Sequence, residues 1–225
     1  MTTILAFDTS AGACSAAVRS GGETLAEHYE ERARGQAEIL MPMVEEVISA
    51  AGLAYTDLDL IATTVGPGSF TGMRIGIAAA RAMSLAAGIP VLGLTTLEVI
   101  AAGIDGTETG PHPVLACVES KREDIYVQLF GADGEPKTEP MAATPAALAA
   151  DSSTDGGLIL AGSASAPMAA ALEAAGREFR MADGPAEPQA AVAARMAGER
   201  WTPGVSLAPL APLYLRPPDT TGPKP

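Results

Sequence analysis

The chain has 225 residues, of which 48% are hydrophobic and 4% aromatic. It carries 14 Lys and Arg against 27 Asp and Glu, a formal net charge of −13. That length allows a sizeable core in one large domain or two small ones. That charge argues against unaided binding to nucleic acid or anionic lipid, because a polyanion is repelled at long range.

No signal-peptide pattern precedes the first apolar run and no apolar run is long enough to span a bilayer, so a soluble cytoplasmic protein is expected. Ile4–Phe7 reads as a short buried strand. Ala13–Arg19 and Glu23–Tyr29, split by Ser20-Gly21-Gly22, read as a hairpin. A helix follows from about Ala37 to Ala51, with Leu40, Met43, Val44, Val47 and Ile48 at helical spacing. Pro42 must lie in its first turn or kink it, and Gly52 is a natural stop.

Leu60–Val65 predicts a strand, Met73–Ala87 a helix and Pro90–Leu94 a strand. Thr95 and Glu98 then have capping-box spacing for a further helix. This order suggests a mixed sheet covered by helices. Gly103–Pro113 reads as a junction, after which the pattern restarts in shortened form. Strands are expected at Val114–Val118, Asp124–Phe130 and Leu158–Ala161. Helices are expected from Thr144-Pro145, near Ala166–Ala175 and at Gln189–Trp201. The division drawn is 1–103 and 104–216, with a disordered Pro-rich tail at 217–225.

Gly66-Pro67-Gly68-Ser69-Phe70-Thr71-Gly72-Met73-Arg74-Ile75-Gly76 is the most informative stretch. Four glycines and a proline make a tight strand-to-helix turn, able to hold an anion at the helix start or a protein partner. It fails the specific tests. Met73-Arg74 stand where a phosphate loop needs Lys-Ser/Thr, Thr71 takes the last glycine of a dinucleotide fingerprint, and Pro67 breaks the nucleophile elbow.

Gly72, Gly76, Ala80, Ser84 and Gly88 recur every four residues as one small-residue ridge, flanked by Arg74 and Arg81. Such a ridge serves packing inside the subunit or a close contact with another chain whose acids the arginines would meet. Asp8-Thr9-Ser10 ends the first strand and either caps a turn or orients water and a metal-bound phosphate. His28 and His112 have no histidine three to five residues away and are expected at the surface rather than on a metal. Cys14 and Cys117 read as buried free thiols.

The residues resemble a known family. Ile4–Ser10 with Cys14–Val18, the block Gly66–Gly76 continuing through Pro90 and Thr95–Leu97, and Pro212-Leu213-Tyr214-Leu215-Arg216 are similar to the TsaB (YeaZ) family of bacterial tRNA threonylcarbamoyladenosine biosynthesis proteins. The likeness covers residues 1–100 and returns at 212–216. It implies a two-lobed α/β fold of the actin/Hsp70-like (ribonuclease H-like) class, with a mixed sheet in each lobe and the second lobe reduced. It also implies a subunit without catalysis, which pairs with the TsaD-like paralogue that holds the metal-binding histidines, is joined by a TsaE-like ATPase, and forms a homodimer when alone. Transfer RNA would be met only through the partner.

The implied mating surface is the first two long helices: Gln36, Leu40, Met43, Val44 and Val47 on one, and Gly72, Arg74, Gly76, Ile77, Ala80, Arg81 and Ser84 on the other. No cofactor is expected in the isolated chain, with ADP or ATP at the partner interface as the one nucleotide position left open. Two places depart from the family: Val118–Tyr126 lacks the usual Asp-Ala-Arg, and Gln36 replaces a histidine. The alternative is a nucleotide-dependent transferase or kinase of the same fold class with Asp8 organising metal and phosphate, although Ser10 stands where that class needs glycine. A metalloprotease would need more ligands than His28 and His112.

Overall fold

The computed structural model describes residues 1–32, 34–106, 110–151 and 157–216. The expected tail at 217–225 and part of the junction lie outside the described residues.

β1 (Thr3–Asp8), β2 (Ala13–Ser20) and β3 (Glu23–Glu31) form an antiparallel meander. β4 (Leu60–Thr64) joins β1 in parallel and β5 (Val91–Leu94) joins β4 in parallel, giving the order β3-β2-β1-β4-β5. α1 (Gln36–Ala50) and α2 (Phe70–Ala87) cover one face of this sheet. Leu5, Phe7, Cys14, Ala16 and Val18 point at them, while Ile4, Ala6, Ala17, Leu60 and Ala62 point the other way. Both faces are covered, so the central strands are apolar at nearly every position rather than alternating.

The helix ends follow local chemistry. At the end of α1, Leu53 N–H bonds the Ile48 carbonyl and Gly52 N–H bonds that of Ser49, with Gly52 at φ 68°. This is the paired closure that a left-handed glycine permits. Pro42 lies in the second turn of α1, not the first. α2 begins at Phe70, three residues before the expected Met73, because Ser69 caps it through its hydroxyl to Gly72 N–H at 3.3 Å. α3 (Thr96–Ala102) opens on the expected capping box: Thr95 N–H to Glu98 at 2.6 Å and Glu98 N–H to the Thr95 hydroxyl at 3.1 Å.

The second sheet repeats the first. β6 (Val114–Glu119), β7 (Ile125–Phe130) and β8 (Met141–Ala143) are antiparallel neighbours. β9 (Leu158–Ala161) pairs with β6 in parallel, and β10 (Phe179–Met181) pairs with β9 in parallel. Read outward from the central strand, β8-β7-β6-β9-β10 has the connectivity of β3-β2-β1-β4-β5. α4 (Pro145–Ala149) and α5 (Ser165–Ala174) cover one face, and α3 packs on the other through Leu97, Ile100 and nearby Ile104. The result is a two-lobed α/β fold of the actin/Hsp70-like class.

α6 (Ala190–Arg200) follows the second sheet in sequence but lies on the first. Ala190, Ala193, Ala194 and Ala197 press against Ile4, Ala6, Ala17 and Leu60. The Ser15 hydroxyl on β2 accepts the Ala190 N–H at 3.0 Å, and Arg195 and Arg200 bind the Ala102 carbonyl and Glu98 of the α3 region at 2.7 and 2.8 Å. Residues 207–214 also return to the first lobe. The division drawn at residue 104 therefore parts the two sheets, but not the helix and closing segment that cross back.

Candidate functional site

Two regions gather the residues singled out by sequence: the corner at the end of β1 and the outer side of α1 and α2. At the corner, Asp8 is fully buried. Its Oδ1 accepts from Ser10 N–H at 3.2 Å, from Ser10 Oγ at 2.6 Å and from the Thr64 hydroxyl. Ser10 Oγ also lies 2.9 Å from Thr96 Oγ1. The bond to Ser10 N–H is the side-chain-to-backbone closure expected of an aspartate turn. Asp8 Oδ2 has no hydrogen-bond partner among the described residues, and burial pushes the carboxyl up to about 6.

Sequence reasoning missed a second acid here. Glu187, just before α6, sets Oε1 against Gly12, whose N–H it accepts. Burial, aided by the charges of Asp8, Glu119 and Glu31, pushes it up to about 7. Nothing in the local sequence around Glu187 signals this, since the partners come from β1, β3 and β6. The corner is thus acidic, an environment that repels phosphate. Among the described residues no group of three or more His, Cys, Asp or Glu is placed to hold a metal. His28 is half-buried, with Nδ1 2.8 Å from Glu46 Oε2, and His112 is half-buried in the other lobe.

The glycine-rich loop is welded to this corner. Ser69 N–H bonds the Ser10 carbonyl at 2.7 Å, and the Thr9 hydroxyl donates to the Gly72 carbonyl at 2.8 Å. A Cβ on Gly68 would lie 2.2 Å from the Ser10 carbonyl oxygen, and one on Gly72 would lie 2.0 Å from that of Thr9. These glycines are needed for backbone-on-backbone contact within the chain.

The ridge of α2 therefore faces inward, contrary to its reading as a mating face. Gly76 sits over the Thr9 and Thr63 hydroxyls, and Ile77 and Ala80 are buried in the first core. Leu40, Met43, Val44 and Val47 are buried in the same core, and Gln36 is buried with its amide donating to the Arg32 carbonyl at 2.9 Å. The spacing identified a face correctly, but the sheet of the same chain needs that close approach. Of the expected interface, Arg74 and Arg81 are exposed and Ser84 is half-buried.

Both arginines bind the chain itself. Arg74 stacks on Phe70 at 3.7 Å and donates to the Tyr214 hydroxyl at 3.0 Å, and Arg81 donates to the Leu210 carbonyl at 2.5 Å. The outward face consists instead of Met41, Pro42 and Glu45 on α1 with Ala78, Ala82, Leu85 and Ala86 on α2. Leu85 is 89% exposed. Between the lobes, the glycine-rich loop, residues 119–122 with Tyr126, and residues 213–216 line a cleft of about 410 Å³.

Known proteins place this architecture. The family model described as TsaD, tRNA N6-adenosine threonylcarbamoyltransferase, matches residues 25–165. The chain is 37% identical over 123 residues to the tRNA threonylcarbamoyladenosine biosynthesis protein TsaB of Escherichia coli (strain K12), a match spanning 55% of this chain and 52% of that protein. It thus spans about half the length of that curated relative. An uncharacterized protein of Mycobacterium tuberculosis is 35% identical over 221 residues, 97% of this chain and 94% of its own. The structure of YeaZ from Pseudomonas aeruginosa aligns with TM-score 0.77 and 29% identity over 96% of this chain and 100% of the other. The chain belongs to the tRNA N6-adenosine threonylcarbamoyltransferase family and, within it, to the TsaB (YeaZ) branch.

Proposed function

We propose that this chain is a subunit of the machinery that makes N6-threonylcarbamoyladenosine in tRNA, and that it pairs with a TsaD-like catalytic paralogue without carrying out chemistry itself. A TsaE-like ATPase joins the pair, the isolated chain forms a homodimer, and tRNA is contacted through the partner in the cytoplasm. Any ADP or ATP sits at the partner interface rather than at Asp8.

The observation that carries this reading is the weld between Gly68, Gly72 and the Thr9–Ser10 backbone. It closes the inner side of the glycine-rich turn with backbone, beside two acids already short of partners. The mating surface is the outer flank of α1 and α2, where Ala78, Ala82 and Ala86 let another helix come close.

Co-purification of the chain with the catalytic paralogue, and calorimetry of the isolated chain with Mg-ATP, test the proposal together. Complex formation with no turnover by the isolated chain is expected. Tight Mg-ATP binding with turnover that Asp8→Asn abolishes would favour the transferase or kinase reading.

A further inference from the structure

We propose that residues 205–216 form a strap tying the two lobes together, with the ion pair between Arg216 and Asp124 as its clasp. The strap is anchored first on the lobe that carries α6. Leu210 is buried in the first core, and its carbonyl receives Arg81. Leu213 N–H bonds the Val65 carbonyl at 2.7 Å, just past β4. Tyr214 receives Arg74 and lies with its ring 5.6 Å from that of Phe70.

The strap passes close over two glycines of the first lobe. A Cβ on Gly93 would lie 2.7 Å from Val65 Cγ1 and 2.9 Å from Leu210 Cδ1, and one on Gly66 would meet Met73 Sδ first and lie 3.1 Å from the Leu213 carbonyl oxygen. Both positions lack a side chain where the strap crosses.

Two residues beyond Tyr214 the strap reaches the other lobe. The Arg216 guanidinium pairs with Asp124, in the turn between β6 and β7. Asp124 is 4% exposed, and its Oδ1 lies 2.9 Å from Ser120 Oγ. An ion pair on open surface holds little, but a carboxylate this buried is costly to leave without its cation. The clasp is therefore held shut.

The lobes also meet through α3, whose Leu97 and Ile100 pack with Val114, Ala116 and Ile159 of the second sheet. α3 does not line the 410 Å³ cleft, whereas Leu213, Tyr214 and Arg216 do. The two connections are separate. With the clasp open, α3 and the 182–190 crossing into α6 still join the lobes as a hinge, and the strap no longer sets the width of the cleft. This inference is independent of the partner proposed above and is read on the isolated chain.

The test places spin labels at Ser49→Cys and Glu173→Cys, both exposed and on different lobes, while Cys14 and Cys117 stay buried. Dilution with unlabelled protein removes distances between copies. A single narrow distance distribution is expected with the strap intact. Arg216→Ala should broaden it roughly twofold. Asp124→Asn, which keeps an acceptor for Ser120, should do the same. Each should speed backbone hydrogen exchange over residues 119–126 about tenfold. The double variant should be no broader than either single one, because both act through one pair. Unchanged distributions in both single variants, or additive broadening in the double variant, would overturn the clasp.

Discussion

A Cβ on Gly72 would lie 2.0 Å from the carbonyl oxygen of Thr9. The first turn of α2 and the turn after β1 touch backbone to backbone. This contact, with that of Gly68 on the Ser10 carbonyl, explains two of the four glycines in the block. At Gly68 and Gly72 the loop is spare of side chains because two main chains meet there.

Gly72→Ala is therefore a stability variant. The contact is with backbone atoms that cannot swing aside, so overpacking of roughly 2–3 kcal/mol is expected. For a chain of this size that corresponds to a fall in Tm of about 5–10 °C. Differential scanning calorimetry checks it, and a Tm within a degree of wild type would mean that the turn is not tightly packed. Gly76→Leu would likewise fill the space at Thr9 and Thr63 and disturb the fold.

Stability should fall as pH rises from about 4 to 7. Asp8 and Glu187 have folded pKa values raised to about 6 and about 7 from ordinary values of 3.8 and 4.5. In that window the folded state binds more protons than the unfolded one, so the contribution is fully present below the unfolded pKa and lost as pH passes the folded pKa. Asp8 alone accounts for something on the order of 2–3 kcal/mol. Glu187, partly open to solvent, adds in the same direction. Urea titrations at pH 4.5, 6 and 8 on wild type, Asp8→Asn and Glu187→Gln measure this. Each substitution should flatten the decline, and an unchanged slope in Asp8→Asn would contradict the assignment.

Neither thiol should react in the folded protein. Burial pushes Cys14 up to about 12 and raises Cys117 as well, and both are free and buried. A thiol-exchange reagent at neutral pH should report no fast reaction until denaturant is added. Rapid labelling of one thiol per chain under native conditions would contradict this.

The first sheet was legible because its signals are local. The hairpin at Ser20-Gly21-Gly22, the apolar spacing of α1 and the Thr95–Glu98 box each lie within a few residues. The strands β8 and β10 were missed because three residues are too few to show alternation. The docking of α6 on the opposite lobe was not legible either: alanine at 190, 191, 193, 194 and 197 fits closely against any flat apolar surface.

The direction of the α2 ridge is the instructive case. Spacing of four states which residues share a face, but not what that face meets. Gly72 and Gly76 meet Thr9 in the turn after β1, and Gly76 also meets Thr63 on β4, all more than a dozen positions away in sequence. The Asp8–Glu187 corner is hidden for the same reason, since 179 positions separate the two acids.

Titration of the purified catalytic paralogue with this chain and with Ala82→Glu shows whether the outer flank of α2 is the mating surface. Ala82 is exposed on the outer face of α2, so the substitution should change stability by no more than about 0.5 kcal/mol. Wild type should bind, and Ala82→Glu should lose about a hundredfold in affinity at unchanged Tm. Equal binding by both proteins would contradict it.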